Sequence, residues 1–405
     1  MERSYPAFTV TKKAEIGLKN GHPWVYGEEI TNKNGAYKNG DIVDVFGAKD
    51  NYLGSGYVND ASKIAVRVIS TNANDRFDEA FYARRVKYAL DYRRQVMGDD
   101  FSCCRLIFGE ADFFPGLTVD RFANVLVTQS LCLGTDMRKG IIFPLIVERL
   151  RELGETVDAV FERNDVSIRA LEGMEEYKAF FAHEGLRTDL CGHTEITENG
   201  IKYDVDYVNG QKTGFFLDQK YNRLAVRKIA KGRRVLDCFT HTGAFALNAA
   251  MGGAQSVTAV DISAGAIELA KANAERNGIK MDFIAADVFD LLTELYKKRS
   301  SEYDFIILDP PAFTKSGATA KNAYRGYKEI NLKAMRLLPR GGYLATCSCS
   351  HFMYDDMFRK MLAEAAHDAG VTLRQIEARQ QAPDHPILPS VRETDYLKFY
   401  LFQVV

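Results

Sequence analysis

The stretch that decides the fold is Val235-Leu236-Asp237-Cys238-Phe239-Thr240-His241-Thr242-Gly243, an apolar run that ends in small polar residues and a glycine. This pattern is typical of a buried strand that turns tightly into a helix. Similar apolar runs, separated by helical patterns, follow at Ser256 to Ile262, Asp282 to Asp287, Tyr303 to Asp309 and Tyr343 to Cys349. Apolar strands that alternate with crossover helices predict a doubly wound α/β sheet, largely parallel. A final strand, Leu397 to Val404, would add one antiparallel member.

Two further domains are predicted before this sheet. Residues 1–72 contain short β-prone runs that are separated by Gly, Asn and Asp, which predicts a small all-β barrel. Residues 73–190 begin with a periodic helix around Phe81 to Leu90 and continue with strands around a second helix, which predicts a central α+β domain. Residues 191–405 then form the α/β domain, and a chain of 405 residues has room for three domains.

Two features of the first 190 residues allow a nucleic-acid interpretation and a structural one. Trp24, the only tryptophan, is near Lys12, Lys13 and Lys19 and could be a platform for bases or the core anchor of the barrel. The periodic helix could lie along phosphates or simply present a solvated face, because it carries Arg84, Arg85, Lys87, Arg93 and Arg94.

Composition excludes several classes of protein. Lys plus Arg total 53 against 54 for Asp plus Glu, so any nucleic-acid surface must be local. No apolar run approaches the roughly 20 residues that span a bilayer. The start, Met1 to Pro6, has no apolar signal core, and seven cysteines without an export signal favour reduced thiols in the cytoplasm. No cysteine pair has C-x-x-C spacing, so no metal site is expected.

Acidic residues lie at the ends of three successive strands of the predicted sheet, namely Asp237, Asp261 and Asp287. Asp261 is about twenty residues after the first turn, where a carboxylate can accept hydrogen bonds from a ribose diol. Asp287 could take the exocyclic amine of an adenine. Gly243 lets the backbone approach a ligand. The turn lacks the G-x-G-x-x-G motif of dinucleotide-binding proteins, so a dinucleotide is not favoured. Each acid could instead be a helix N-cap. Together they predict a site for a nucleoside without phosphates.

The fourth and fifth strands end in Asp309-Pro310-Pro311 and in Cys347-Ser348-Cys349. The prolines fix the backbone beside the Asp309 carboxylate. Cys349 is a candidate nucleophile, because it would lie at the end of a strand before the amino end of a helix, whose amides lower thiol pKa values. The alternative is a small buried apolar side chain. Cys347 and Cys349 are two residues apart and therefore lie on the same face of the strand. The face of the strand alone does not decide which thiol is the nucleophile.

Several motifs, spread over nearly the whole chain, carry a resemblance. They are His22-Pro23-Trp24, Pro115 to Phe122, Glu162-Arg163 with Val166, Lys212-Thr213-Gly214 with Leu217-Asp218-Gln219, Asp309-Pro310-Pro311 with Phe313, Ser348-Cys349-Ser350 and Asp384-His385-Pro386. In this combination the chain resembles class I S-adenosylmethionine-dependent methyltransferases. More narrowly, it is similar to the RlmI-type large-subunit ribosomal RNA cytosine-5 methyltransferases.

The resemblance implies a Rossmann-like class I methyltransferase domain, an N-terminal PUA-like RNA-binding barrel and a central α+β domain. It implies transfer of a methyl group to carbon 5 of a cytidine in 23S ribosomal RNA, with Cys349 adding to carbon 6 and Asp309 binding ring nitrogen 3. The implied partner is large-subunit ribosomal RNA, in the cytoplasm and away from membranes. The implied cofactor is S-adenosylmethionine, held by Phe216, Asp237, Phe239, Thr242, Gly243, Asp261, Ile262, Asp287, Val288 and Asp309.

Three departures from the family pattern limit this transfer of roles. Ala312 stands where many RNA cytosine-5 methyltransferases have a second cysteine, so the chain would be of the single-cysteine type. His351 and Cys347 also differ from the usual residues. The base that removes the carbon 5 proton is not identified, and His385 could contribute or be structural. Alternatives are methylation of uridine carbon 5 or of an exocyclic base nitrogen, and a non-catalytic RNA-binding or ribosome-assembly protein.

Overall fold

The computed structural model describes residues 3–298, 302–314 and 319–405. The chain divides into two compact units. Unit 1 consists of Met1–Ile196, Asp204–Leu217 and Pro383–Thr394, and unit 2 of Thr197–Tyr203, Asp218–Ala382 and Asp395–Val405. The domain boundaries expected near residues 72 and 190 stay predictions. Within the described ranges, no helix is long and apolar enough to cross a bilayer.

Unit 1 begins with a six-stranded sheet whose strand order is β2-β6-β5-β4-β1-β3. Its core is made by apolar side chains such as Phe8, Val43 and Val66, which alternate into the interior along their strands. Trp24 is only partly buried and is not one of these core residues, so the core-anchor interpretation does not hold. The elements are β1 Ala7–Val10, α1 Lys12–Lys19, β2 Trp24–Tyr26, β3 Ile30–Asn34, β4 Ile42–Phe46, β5 Tyr52–Val58 and β6 Ile64–Ser70.

A five-stranded sheet of order β11-β10-β9-β8-β7 follows in unit 1. Strands β9 and β10 are parallel, and the chain between them forms the two helices α3 and α4 that such a crossover requires. The elements are α2 Glu79–Met97, β7 Cys103–Phe108, β8 Leu117–Phe122, β9 Val125–Ser130, α3 Leu133–Asp136, α4 Lys139–Glu152, β10 Ala159–Asn164 and β11 Tyr177–Phe180. This is the α+β organisation expected from the sequence. A hairpin of β12 His193–Glu198 and β13 Ile201–Asp206 comes next.

A buried polar cluster joins distant segments of unit 1. The fully buried Asp120 carboxylate accepts hydrogen bonds from Arg105 Nε at 2.7 Å and Nη2 at 2.8 Å, and from Thr213 Oγ1 at 2.6 Å. Asp384 Oδ2 accepts from the backbone N–H of Arg105 at 2.8 Å, and His385 Nδ1 lies 2.8 Å from Asp384 Oδ1. Since His385 is only 2% exposed and belongs to this cluster, its contribution is structural.

Unit 2 is built on a seven-stranded sheet of order β16-β15-β14-β17-β18-β20-β19. Strands β14 to β18 are parallel to one another, and β20 pairs antiparallel with both neighbours, which confirms the doubly wound sheet and its antiparallel member. The elements are α5 Lys220–Ile229, β14 Arg234–Cys238, α6 Ala244–Met251, β15 Ser256–Asp261, α7 Ala264–Arg276, β16 Asp282–Ala285, α8 Val288–Lys297, β17 Phe305–Leu308, α9 Ala320–Leu337, β18 Tyr343–Ser348, α10 Asp355–Ala369, β19 Leu373–Arg379 and β20 Lys398–Val404.

The central strands are apolar on both faces because helices cover both. Leu236 and Ile306 point into one hydrophobic cluster, whereas their neighbours Val235 and Ile307 point into the other. The chain leaves β14 towards β15 on one side and later returns to β17 on its other side. A crevice therefore opens at the carboxyl ends of β14 and β17, where ligands bind in folds of this kind.

The Asp120 cluster generates a stability prediction. Asp120→Ala should lower the free energy of unfolding of unit 1 by about 3–5 kcal/mol, because it removes the carboxylate that accepts two hydrogen bonds from the poorly solvated Arg105 guanidinium and one from Thr213. Trp24 is the only tryptophan and lies in unit 1, so its fluorescence during urea denaturation reports on this unit alone.

Asp189→Ala is the matched control. It breaks an ion pair of 3.1 Å between Arg187 and Asp189 in the same unit, and the Asp189 side chain is 75% exposed. Its effect should stay within about 0.5 kcal/mol. Equal urea midpoints for the two variants would contradict the stabilising role of the cluster.

Candidate active site

Asp237, near the end of β14, is the first acid of the crevice. Its Oδ2 accepts hydrogen bonds from Thr240 Oγ1 at 2.6 Å and from the Ala246 N–H at 3.0 Å. Its Oδ1 is buried and has no hydrogen-bond partner among the described residues. Burial raises the pKa of Asp237 to about 7, although the Thr240 hydrogen bond acts in the opposite direction. An acceptor that is buried without a partner points towards a ligand.

The turn after β14 has a strained backbone that the neighbouring strand holds in place. Phe239 has a φ of 65° and His241 a φ of 50°, a region that non-glycine residues rarely adopt. The His241 N–H donates to Asp261 Oδ2 at 3.0 Å and so fixes the turn. Gly243 has a φ of 81°, and a Cβ there would lie 3.1 Å from the Ala270 Cβ. The predicted residues Phe239, Thr242 and Gly243 therefore belong to one tight turn.

Asp261 ends β15 and is held by the backbone. Its Oδ1 accepts from the Ser263 N–H at 2.9 Å, while Ser263 itself caps α7, so Asp261 is not the N-cap. Ile262 follows with a side chain that is 71% exposed. A fixed carboxylate beside an exposed apolar surface suits a sugar diol and the face of a base.

The third predicted position differs. Asp287 is the N-cap of α8, and its Oδ1 accepts from the N–H groups of Phe289 at 2.7 Å and Asp290 at 3.3 Å. The capping interpretation thus holds for Asp287. Val288 is 2% exposed and packs in the hydrophobic core, so only its backbone can face a ligand. Phe216 lies in unit 1, partly exposed, with Lys212 Nζ 4.9 Å from its ring centre.

Asp309 follows β17 and is half-buried. Gln219 Nε2 donates to Asp309 Oδ1 at 3.0 Å, and Gln219 Oε1 in turn accepts from Asn222 Nδ2 at 2.7 Å, which fixes the glutamine. Burial raises the pKa of Asp309 to about 7; the Asp218 carboxylate acts in the same direction and Arg223 against it. The Leu217-Asp218-Gln219 and Asp309-Pro310-Pro311 motifs therefore meet in space.

The two thiols of β18 differ in their surroundings. Cys347 is fully buried beside Asp309, and burial raises the pKa of its thiol well above the usual range. Cys349 lies just past the strand, half-buried, with its Sγ 3.9 Å from the Pro310 carbonyl oxygen. The helix expected after this strand is α10, which begins at Asp355, six positions after Cys349. Whether its amides lower the pKa of the thiol stays a prediction.

Lys398 is a site residue that the sequence analysis missed. It pairs with Ser348 across β18 and β20, is 5% exposed, and donates from Nζ to the carbonyl oxygens of Ser350 at 2.9 Å and Tyr396 at 2.7 Å. Burial lowers the pKa of Lys398 to about 8, while the charges of Asp395 and an ionised Cys349 act in the opposite direction. The signal was a lysine in the otherwise apolar final strand.

Tyr327 supports the same loop from α9. Its hydroxyl lies 2.8 Å from Ser350 Oγ, and its side chain is fully buried. Burial raises the pKa of Tyr327 to about 12, so the phenol stays protonated. With Lys398, this side chain fixes the residue that follows Cys349.

The arrangement suits a particular chemistry. It combines a half-buried thiol, a carboxyl that can be protonated near neutral pH and a nearby ammonium group, all at the crevice of a doubly wound sheet. Within the described part of the chain, no group of His, Cys, Asp and Glu side chains could hold a metal ion. A thiol, a carboxyl of raised pKa and an ammonium group are the side chains that covalent and acid–base catalysis use.

Comparison with known proteins gives the same fold and names a family. Residues 147–403 match the family described as S-adenosylmethionine-dependent methyltransferase, and residues 8–71 match the PUA-like domain. The ribosomal RNA large subunit methyltransferase I of Klebsiella pneumoniae is 37% identical over 405 residues, which cover 99% of each chain. That of Pseudoalteromonas atlantica is 40% identical over 395 residues, which cover 96% of this chain and 97% of the relative.

Two solved structures have the same fold over nearly the whole chain. A protein from Streptococcus mutans, assigned as an S-adenosylmethionine-dependent methyltransferase, matches with a TM-score of 0.79 at 23% identity and covers 98% of this chain and 99% of that chain. A second protein, assigned as a methyltransferase and complexed with SAH, matches with a TM-score of 0.81 at 22% identity and the same coverage. The chain belongs to the S-adenosylmethionine-dependent methyltransferases with an N-terminal PUA-like domain, in the family of ribosomal RNA large subunit methyltransferase I.

Proposed function

We propose that this chain methylates carbon 5 of a cytidine in the 23S RNA of the large ribosomal subunit, through a covalent adduct with Cys349. The observation that carries the proposal is the approach of Cys349 Sγ to the Pro310 carbonyl oxygen, directly after Asp309. A nucleophile and a carboxyl of raised pKa thereby share one edge of the crevice. The RNA class follows the names of the full-length relatives.

The residues of the first two strand ends fit S-adenosylmethionine. The buried Asp237 Oδ1, without a partner among the described residues, and the backbone-fixed Asp261 carboxylate are acceptors for its amino and ribose groups. Ile262 offers an exposed apolar face to the adenine. Phe239, Thr242 and Gly243 shape the turn, and the backbone at Asp287 and Val288 borders the base. Bound there, the cofactor supplies an electrophilic methyl group.

Cys349 makes carbon 5 reactive. Cytosine carbon 5 is a weak nucleophile, but a bond from the Cys349 thiolate to carbon 6 moves the electron pair of the 5,6 double bond onto carbon 5. Carbon 5 takes up the methyl group, whose bond to the sulfonium sulfur breaks with the electron pair left on that sulfur, and a base then removes the proton from carbon 5. The electrons of that C–H bond restore the double bond, the bond from carbon 6 to sulfur breaks, and the thiolate is released. Lys398 donates to the carbonyl oxygen of Ser350, the residue after Cys349, so its ammonium would stabilise that thiolate.

The raised pKa of Asp309 favours cytidine over uridine. A carboxyl with a pKa of about 7 is substantially protonated at neutral pH and can donate a hydrogen bond. Ring nitrogen 3 of cytosine is an acceptor, whereas that of uracil carries a hydrogen. Gln219 donates a hydrogen bond to Asp309 Oδ1, so this oxygen is the acceptor of the carboxyl group. The proton is then carried by Oδ2.

The covalent step gives the first prediction for this site. Cys349→Ala should abolish methylation, and RNA with 5-fluorocytidine should form an adduct that survives denaturing electrophoresis with the wild type but not with the variant. Fluorine at carbon 5 cannot leave as a proton, so the adduct accumulates. Cys347→Ala is the matched control and should retain the adduct, because its thiol is buried and its pKa is raised. Methylation by Cys349→Ala would instead support a non-covalent reaction at an exocyclic nitrogen.

The second prediction concerns pH. Since the protonated form of Asp309 is the proposed donor and its pKa is about 7, kcat/KM for RNA should fall as the pH rises above about 7. Asp309→Asn keeps an N–H donor that does not titrate, so the same decrease should be absent from its lower activity. The pKa of Asp237 is also about 7, so its titration could change cofactor binding over the same pH range. Calorimetry of cofactor binding at each pH measures that contribution separately. If kcat/KM of Asp309→Asn decreased above pH 7 as it does in the wild type, Asp309 would not be the titrating donor.

The third prediction tests the cofactor site. Asp261→Asn should weaken S-adenosylmethionine binding by at least about ten-fold, because hydrogen bonds to a charged acceptor contribute about 1.5–3 kcal/mol. Asp282→Asn, exposed at the start of the adjacent β16, is the control and should bind normally. Isothermal titration calorimetry measures both, and equal affinities would remove Asp261 from the site. A wild type that binds no cofactor would favour a non-catalytic RNA-binding protein.

A further inference from the structure

Unit 1 contains a cleft of about 580 Å³ that the methyl-transfer site does not use. It lies between the end of β6 and the first half of α2, next to the turn that precedes β8. The side chains that carry the argument are Arg84, Arg85, Tyr88 and Phe113, all of which line the cleft.

Phe113 is an exposed aromatic ring at a strained position. Its φ is 60°, in the left-handed region that a bulky residue rarely adopts, and its backbone N–H donates to the Glu110 carbonyl oxygen at 3.1 Å. The ring is nevertheless 46% exposed. Burial of the ring does not explain why the turn accepts a phenylalanine here, since Asn or Gly would adopt this backbone at lower cost. The left-handed backbone conformation instead places the Phe113 ring at the cleft, with one face exposed.

Arg85 places a positive charge against that ring. Its guanidinium carbon lies 4.6 Å from the centre of Phe113, and Nη2 donates to the Ile69 carbonyl oxygen at 3.1 Å. Its Nε is buried without a hydrogen-bond partner, and no carboxylate in the described ranges forms an ion pair with Arg85. Such a guanidinium, stacked but not neutralised, is an anion-binding group.

The other charges of the cleft compensate each other. Asp75, the acid that lines it, accepts from Arg84 Nη2 at 2.7 Å and from Ser70 Oγ at 2.6 Å. The net charge that remains is that of Arg85. Tyr88, which is 59% exposed and follows Arg85 by three positions on α2, adds a second aromatic surface on the same side of the helix.

We propose that this cleft binds a single-stranded segment of the RNA substrate, with a base stacked on Phe113 and a backbone phosphate on Arg85. The inference rests on the proposed function and adds a place where RNA is held. Exposed rings beside a guanidinium are typical of sites for splayed-out bases, because every base has a face that can stack. A duplex keeps its bases stacked internally and offers no face to Phe113.

Fluorescence anisotropy with a labelled single-stranded RNA, and with the same strand in a duplex, tests the cleft. Phe113→Asn removes the ring but suits the left-handed backbone, and should weaken single-strand binding by about ten-fold, the range of a lost base–aromatic stack. Arg85→Met should reduce the slope of log K against log salt by about 0.7, the loss of one phosphate contact on a single strand. Neither variant should change duplex binding or cofactor affinity.

Two exposed residues outside the cleft are matched controls. Leu171→Ser removes an apolar side chain that is 67% exposed in the same unit, and Arg94→Met removes an exposed charge from the same helix. Both should leave the single-strand affinity unchanged. If Phe113→Asn binds the single strand as tightly as the wild type, and the wild type methylates RNA, the cleft assignment falls and the proposed function stands. If the wild type neither binds nor methylates RNA, both fall.

Discussion

The parallel pairing of β14 with β15 on one side and β17 on the other is the constraint on which the site depends. The register pairs Cys238 with Val260 and with Leu308, so the three strands end at the same level. Asp261 and Asp309 follow directly and therefore reach the same crevice, although nearly fifty positions separate them in the sequence. Because the strands are buried on both faces, a shift of register would bury these carboxylates in the core, which makes the register strongly preferred.

Burial then determines the chemistry of the crevice. Asp237 and Asp309 both have pKa values of about 7, because few groups compensate the loss of water around their carboxylates. Their folded-state pKa values are above the ordinary carboxyl range, so these residues reduce the stability of the fold as the pH rises from that range to about 7. The hydrophobic clusters on both faces of the sheet offset this loss of stability. In return, Asp309 can be a proton donor at neutral pH.

Short-range patterns predicted the strands and the order of the acids, since period and turn residues act locally. The expected strands Ser256 to Ile262 and Tyr343 to Cys349 match β15 and β18 to within one residue. Contacts across long separations were not predictable in this way. The location of Lys398 beside the Ser350 carbonyl follows from a strand pairing that only the folded sheet defines.

The same folded context separates two kinds of motif that are alike in the sequence. Asp120 accepts hydrogen bonds from the Arg105 guanidinium and from Thr213, and Asp384 accepts one from the backbone N–H of Arg105, so both carboxylates have partners within one network. Asp237 has a buried oxygen without a partner among the described residues, and Asp309 has a raised pKa. A closed network stabilises a fold, whereas an incompletely satisfied buried carboxylate costs stability and is retained where a ligand completes it. Hydrogen-bond satisfaction, and not residue type, therefore distinguishes the first group, which stabilises the fold, from the second, which we propose binds the cofactor and the target base.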